Sequence, residues 1–211
     1  SQSKFGRRCE IESIMKDPKL RQFQDISALL NSSLHPTEIR KRAIEAATLL
    51  MEAEAGSLLL VDEALGELYF EVAHGEKGAA VREIRLKLGE GIAGHVAETG
   101  EAVVVNDVQH DARFFRSADR RSGFKTRNMV CAPVKVHGKV IGVLQAINRK
   151  DGGLFDEDDL QNFVALGHQV SIAIENAGLY DEIRHLFEGF ISASVQAIES
   201  RDPTTSGHSN R

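Results

Sequence analysis

The stretch Met129–Asn148, MVCAPVKVHGKVIGVLQAIN, decides the fold. Two apolar runs, Val130–Val136 and Val140–Ile147, flank His137-Gly138-Lys139. β-Branched residues dominate both runs and a glycine sits between them, the pattern of a β-hairpin. Neither run leaves room for a solvated face along its whole length. The hairpin is therefore expected at the centre of an antiparallel sheet, with helices on one face and a pocket on the other.

Outward from the hairpin, the N-terminal side reads as helices and then strands. Residues 1–16 form a polar leader. Lys19–Leu34 carries Leu20, Phe23, Ile26, Leu29 and Leu30 on one stripe, and His35-Pro36 ends that helix. A second helix is expected from Pro36 to about Glu54, its inner face built from Ile39, Ala43, Ala46, Ala47, Leu50 and Met51. Strands follow at Gly56–Val61, Glu67–Ala73 and Ile84–Leu88, then a short helix at Ile92–Thr99 and a strand at Ala102–Asn106. Asp107–Asn128 is long and without period, which in a compact domain marks a functional or mobile segment.

On the C-terminal side, Asp151-Gly152-Gly153 makes a turn. Carboxylates Asp156–Asp159 then open a helix where its macrodipole favours them. The helical pattern runs to about Ser200 along two apolar seams. Leu160, Phe163, Val170, Ile174 and Ala177 form one; Ile172, Leu179, Ile183, Leu186, Phe190 and Ala193 form the other. A seam that outlasts its domain predicts a homodimer through this helix.

Composition bounds the function. A net charge of −5 disfavours nucleic acid as a partner of the whole surface. Two cysteines, one in a polar leader and one in an apolar strand, exclude a disulfide framework and fit a cytoplasmic protein. No apolar run reaches the roughly 20 residues of a membrane span. No metal-spaced His or Cys cluster appears, so no metal site is assigned. Gly89-Glu90-Gly91-Ile92-Ala93-Gly94 lacks the βαβ surroundings of a dinucleotide fingerprint.

Several motifs together resemble the GAF domain family over about residues 20–180. They are Gly89–Ala97 (GEGIAGHVA), Asn106-Asp107-Val108 with Asp111 and Phe114, Pro133, Gly142-Val143-Leu144, Asn148, Phe155, and Ala173–Tyr180 (AIENAGLY). The resemblance implies an α+β fold, a central antiparallel sheet with flanking helices and a long C-terminal signalling helix. The GAF domain would span 17–180, with a coiled-coil-like linker helix over 181–200. Ala197–Ser209 resembles the opening of an HD-GYP domain, so residues 201–211 would begin that domain. HD-GYP domains hydrolyse cyclic di-GMP with a His-Asp pair and a Gly-Tyr-Pro motif, neither of which follows Ser209. The resemblances together imply the sensory half of a bacterial regulator, not itself an enzyme, joined to a metal-dependent phosphodiesterase.

In the family a ligand rests on the sheet under the short helix and the long loop. Mapped here, Val130, Ala132 and Gln145 form the floor, and Ile92, Ala93, His95, Asp107, Phe114, Phe115 and Asn128 form the roof. The loop Arg113–Arg127 carries six cations, Arg116 and Arg120 among them, against the single acid Asp119. With its phenylalanines, such a loop suits a nucleotide or other small anionic ligand. The competing reading is a solvated loop whose phenylalanines close the core, in a ligand-free dimerisation and spacer domain. Asn148, Arg149, Phe155, Asp156 and Asp159 stand at the junction between hairpin and last helix. There Arg149 is expected to pair with Asp156 or Asp159. Arg149 and Leu160 stand where the cyclic-nucleotide-binding branch carries Lys and an acid, which weighs against specific cAMP or cGMP recognition. Cys131 is read as an inert core thiol.

Overall fold

A computed structural model describes residues 18–74 and 84–201. Two helices, α1 (Pro18–Asn31) and α2 (Pro36–Leu50), precede the strands β1 (Ala53–Asp62), β2 (Glu67–His74) and β3 (Arg85–Lys87). Then come α3 (Gly91–Thr99), β4 (Val103–Val105) and α4 (Arg116–Ser122). The hairpin strands β5 (Met129–Val136) and β6 (Lys139–Arg149) and the helix α5 (Glu157–Arg201) complete the order. The polar leader 1–16, the segment 75–83 and the stretch 202–211 lie outside the described residues.

The six strands form one antiparallel sheet in the order β3-β2-β1-β6-β5-β4. The hairpin is central, as its two apolar faces require. His137 (φ 50°) and Gly138 (φ 79°) both take the left-handed conformation, the pattern of a type I′ turn, and Lys139 already pairs with Val136. On one face α1, α2 and α5 cover a core that includes Leu30, Ile39, Ile44, Leu58, Leu144, Phe163 and Leu166. On the other, α3 and the loop after β4 cover a second core around Leu59, Leu68, Ile92, Val96, Val108, Met129, Cys131 and Val143.

Strand parity corrects part of the expected floor. Val130 and Ala132 belong to the first core, under α5, and cannot line a space beneath α3. Met129 and Cys131, one position off, face that space instead. Both faces of β5 are apolar, so hydrophobicity does not reveal which parity faces which layer.

Two boundaries also move. α2 stops at Leu50 rather than near Glu54, and Glu52 (φ 47°) turns the chain so that β1 begins at Ala53. The long irregular segment contains the helix α4 of seven residues. α5, by contrast, passes through Gly167, Gly178 and Gly189 without a break. Gly167 has a packing reason: a Cβ there would sit 3.0 Å from the Pro133 carbonyl oxygen, so α5 lies directly on β5.

Candidate functional site

The candidate site lies where α3 and the loop from Asn106 to Asn128 cover the second face of the sheet. Its floor is a row of three polar or polarisable side chains in register across β1, β6 and β5: Ser57, Gln145 and Cys131. Ser57 Oγ donates to Gln145 Oε1 at 2.9 Å, and Gln145 Nε2 donates to Cys131 Sγ at 3.3 Å. The thiol in turn lies 3.7 Å from Met129 Sδ. Burial pushes the Cys131 thiol up to about 12, against the smaller opposing pull of the Gln145 hydrogen bond and the Arg113 charge. It stays protonated, a weak donor rather than a nucleophile.

The roof begins at α3. Gly89 and Gly91 both have positive φ and bring the chain sharply over the sheet. Gly94 permits the close approach: a Cβ there would lie 2.7 Å from the Lys87 carbonyl oxygen. Ile92 and Ala93 point into the second core, and His95 is half-buried at its margin.

The loop is held at both ends. Val108 N–H donates to the Arg127 carbonyl at 3.1 Å, drawing the two arms together. Asp119 accepts from Thr126 N–H at 2.9 Å and from Thr126 Oγ1 at 2.6 Å, closing the turn after α4. Phe114 and Phe115 are half-buried against the second core.

The loop cations divide their roles. Arg113 makes a forked pair with Asp111, Nε to Oδ1 at 3.0 Å and Nη2 to Oδ2 at 2.7 Å. That pair holds the Asp111 carboxyl below its usual range and the Arg113 guanidinium above its own. The Arg113 charge also pulls the Cys131 thiol down, more weakly than burial raises it. Arg127 binds Glu54 at 2.7 Å, and the exposed Arg116 donates to the Gln109 carbonyl at 2.6 Å. Arg120 is exposed, and Asp107 is exposed and paired with His110 at 2.7 Å.

The expected residues thus separate. Ile92, Ala93, Phe114, Phe115 and Gln145 meet around the second core, with His95 at its margin. Asp107, Arg116 and Arg120 stand at the surface of the loop. Asn128 belongs to the junction rather than the roof. The floor residues Ser57, Met129 and Cys131 and the carboxylate Asp111 lie outside the expected lining, and Arg113, one of the expected loop cations, is paired with that carboxylate. Gln145, a polar residue in an apolar strand, is the one sequence signal that points to that face.

At the junction, Asn128 Oδ1 accepts from Arg149 N–H at 3.0 Å and Asn128 Nδ2 donates to the Gly153 carbonyl at 2.9 Å. Asn148 (φ 60°) accepts from Arg127 N–H at 2.7 Å and donates to the Lys125 carbonyl and to Glu54, both at 2.9 Å. Asn106 and the Phe155 backbone exchange two hydrogen bonds of 2.9 Å. Arg149 pairs with Asp159 and with Asp151, not with Asp156, and stacks 5.9 Å from the Phe155 ring. Asp156 and Asp159 cap each other's N–H groups reciprocally at the start of α5.

This sheet, with its roofed second face and exit helix, matches a family model. The GAF domain model aligns with residues 35–174. The chain belongs to the GAF domain family. GAF domains are small-molecule-sensing regulatory modules. This GAF domain is 32% identical over 184 residues to a probable 3′,5′-cyclic phosphodiesterase of Caenorhabditis elegans, covering 82% of the chain and 25% of that protein. It is 34% identical over 155 residues to a dual 3′,5′-cyclic-AMP and -GMP phosphodiesterase of Drosophila melanogaster, covering 67% of the chain and 11% of that protein. The chain therefore spans a quarter or less of these two relatives. Among solved structures it superimposes on the GAF domain of an Acinetobacter phosphoenolpyruvate-protein phosphotransferase with a TM-score of 0.67 at 23% identity, covering 79% of the chain and 99% of that domain. The free methionine-R-sulfoxide reductase of Neisseria meningitidis shares the fold at a TM-score of 0.63 and 21% identity, covering 74% of the chain and 87% of that protein.

Proposed function

We propose that this GAF domain is the dimeric, ligand-sensing regulatory module of a signalling phosphodiesterase. The observation that carries the reading is the junction. Asn106 and Asn128, at the two ends of the roofing loop, bond directly to the segment that opens α5. A ligand that rearranges the loop acts on these bonds and so biases the start of the exit helix. The ligand class is a nucleotide or other small anion, held between the Gln145 row, α3 and the arginine-bearing loop. Two named relatives are cyclic-nucleotide phosphodiesterases, which makes cAMP and cGMP the first probes. The resemblance of Ala197–Ser209 to an HD-GYP opening favours a bacterial cyclic di-GMP phosphodiesterase as the output domain instead. The relatives and that resemblance have phosphodiester hydrolysis in common. A cytoplasmic location fits this role, and no helix among the described residues is long and apolar enough to cross a membrane.

A second reading rests on a specific observation. Met129, Cys131, Phe114 and Phe115 pack with α3 into one apolar cluster, as a spacer domain without ligand would require. Calorimetry with cAMP, cGMP and cyclic di-GMP separates the two. Replacing Arg116 and Arg120 with Ala is expected to weaken binding of the anionic ligand about tenfold. Native mass spectrometry that finds no retained ligand, with no heat from any of the three nucleotides, supports the spacer.

A further inference from the structure

The two stripes of α5 overlap over one short stretch. Ala173 and Ala177 are buried against the domain, while Ile172 and Asn176, each one position earlier, are exposed. From Ile172 the exposed stripe runs through Asn176, Leu179, Ile183, Leu186 and Phe190 to Ala193, in alternating steps of four and three. That alternation is a heptad seam, with Asn176, Ile183 and Phe190 at the first core position and the rest at the second. Ile183 is 62% exposed, Leu186 75% and Phe190 69%, so nothing among the described residues of the protomer covers this seam. With Tyr180 and Phe187 beside it, at on the order of 100 Å² per large side chain, two copies would bury roughly 1,400 Å². That falls within the range of a stable, specific interface.

We infer that α5 pairs with α5 of a second copy as a parallel, in-register coiled coil whose register is set by Asn176. This rests on the dimeric reading above and adds its orientation. Asn176 is the one polar side chain of the seam. In the parallel arrangement it faces the same residue of the partner, and the two amides hydrogen-bond across the interface. Antiparallel alignments that keep the seam in phase set Asn176 against Leu186 or Ala193. Each then buries two amides without partners, which the fold disfavours strongly. A slip of one heptad in the parallel sense does the same. The two sheets consequently lie side by side at one end of the rod, and both output segments leave at the other.

Disulfide trapping in a Cys9→Ser background tests the orientation, with sedimentation equilibrium giving the association state. Asn176 and Ala193 are exposed in the protomer, so substitutions there leave the domain packing intact. Ala193→Cys is expected to cross-link to itself nearly completely on mild oxidation. A mixture of Asn176→Cys and Ala193→Cys chains is expected to give no mixed disulfide. Asn176→Ile is expected to tighten association at least tenfold and to add trimers or slipped registers. A mixed disulfide in a dimer overturns the parallel arrangement and leaves the dimer standing. An Asn176→Ile chain that keeps the single in-register dimer removes the role of Asn176. A monomer at high concentration overturns the dimer and its orientation together.

Discussion

Asn148 holds more of this domain together than its size implies. Its backbone is left-handed, a conformation Asn tolerates better than most residues, and its side chain makes three hydrogen bonds to Arg127, Lys125 and Glu54. The amide is almost fully buried and ties three separate segments together, so its truncation removes all three bonds at once. Asn148→Ala is expected to lower unfolding free energy by about 2–4 kcal/mol in urea titrations. Asn148→Gly keeps the backbone conformation and isolates the share that belongs to the amide. Cys131 gives a pH signature. Its folded value is raised, so its contribution is complete below the unfolded thiol value near 8.5 and is lost as pH rises toward 12. Stability should fall by up to about 1.4 kcal/mol per pH unit in that window. Cys131→Ala should show a flatter alkaline limb than the parent chain, and identical limbs would contradict a buried neutral thiol. Sequence alone made Asn148, Arg149 and Phe155 legible as a junction, because polar residues at a strand end and carboxylates at a helix start have few other uses. It did not reveal Asn128 as part of it. An Asn before a strand carries no mark of which distant backbone it will bond.

The elements show where periodicity decides and where it does not. The overlong expectation for α2 arose because Met51-Glu52-Ala53-Glu54 continues a good helical composition with no Gly or Pro to stop it. The stop is tertiary: Ala53 pairs with Arg149 and Lys150 N–H donates to the Glu52 carbonyl at 2.9 Å. The parity of β5 was equally hidden, since Met129–Val134 is apolar at every position. Only pairing with β6 puts Cys131 opposite Gln145. The α5–β5 contact offers a test at this scale. A register shift between Val134 and Lys135 frees the Lys135 N–H, and Ser171 Oγ on α5 accepts it at 2.9 Å while donating to the Gly167 carbonyl. Ser171→Ala should cost about 1–3 kcal/mol in chemical denaturation. It should also speed amide exchange at Lys135 more than at its neighbours. A mutant with parental stability and exchange would mean water replaces the hydroxyl without loss.

Across the whole molecule, α5 divides at Ala177. Before that point it supplies Phe163, Leu166, Val170, Ala173 and Ala177 to the first core. After it, Leu179, Ile183, Leu186, Phe187 and Phe190 are all exposed. Burial of a large apolar side chain contributes about 1.5–3 kcal/mol, so the first part is indispensable to the domain, whereas these side chains of the second are left uncovered by the described residues of one copy. A chain ending after Asp181 is therefore expected to keep its circular dichroism apart from the missing helix. At low protein concentration its unfolding free energy should stay within about 1 kcal/mol of the parent. At high concentration the two should diverge, because only the parent gains stability by association, and only its melting temperature should rise with concentration. Ending the chain after Gln169 instead removes Val170, Ala173 and Ala177 and should abolish cooperative unfolding. If the chain ending after Asp181 also melts broadly, residues beyond 181 support the domain directly. The exit helix would then be part of the receptor rather than a rod attached to it.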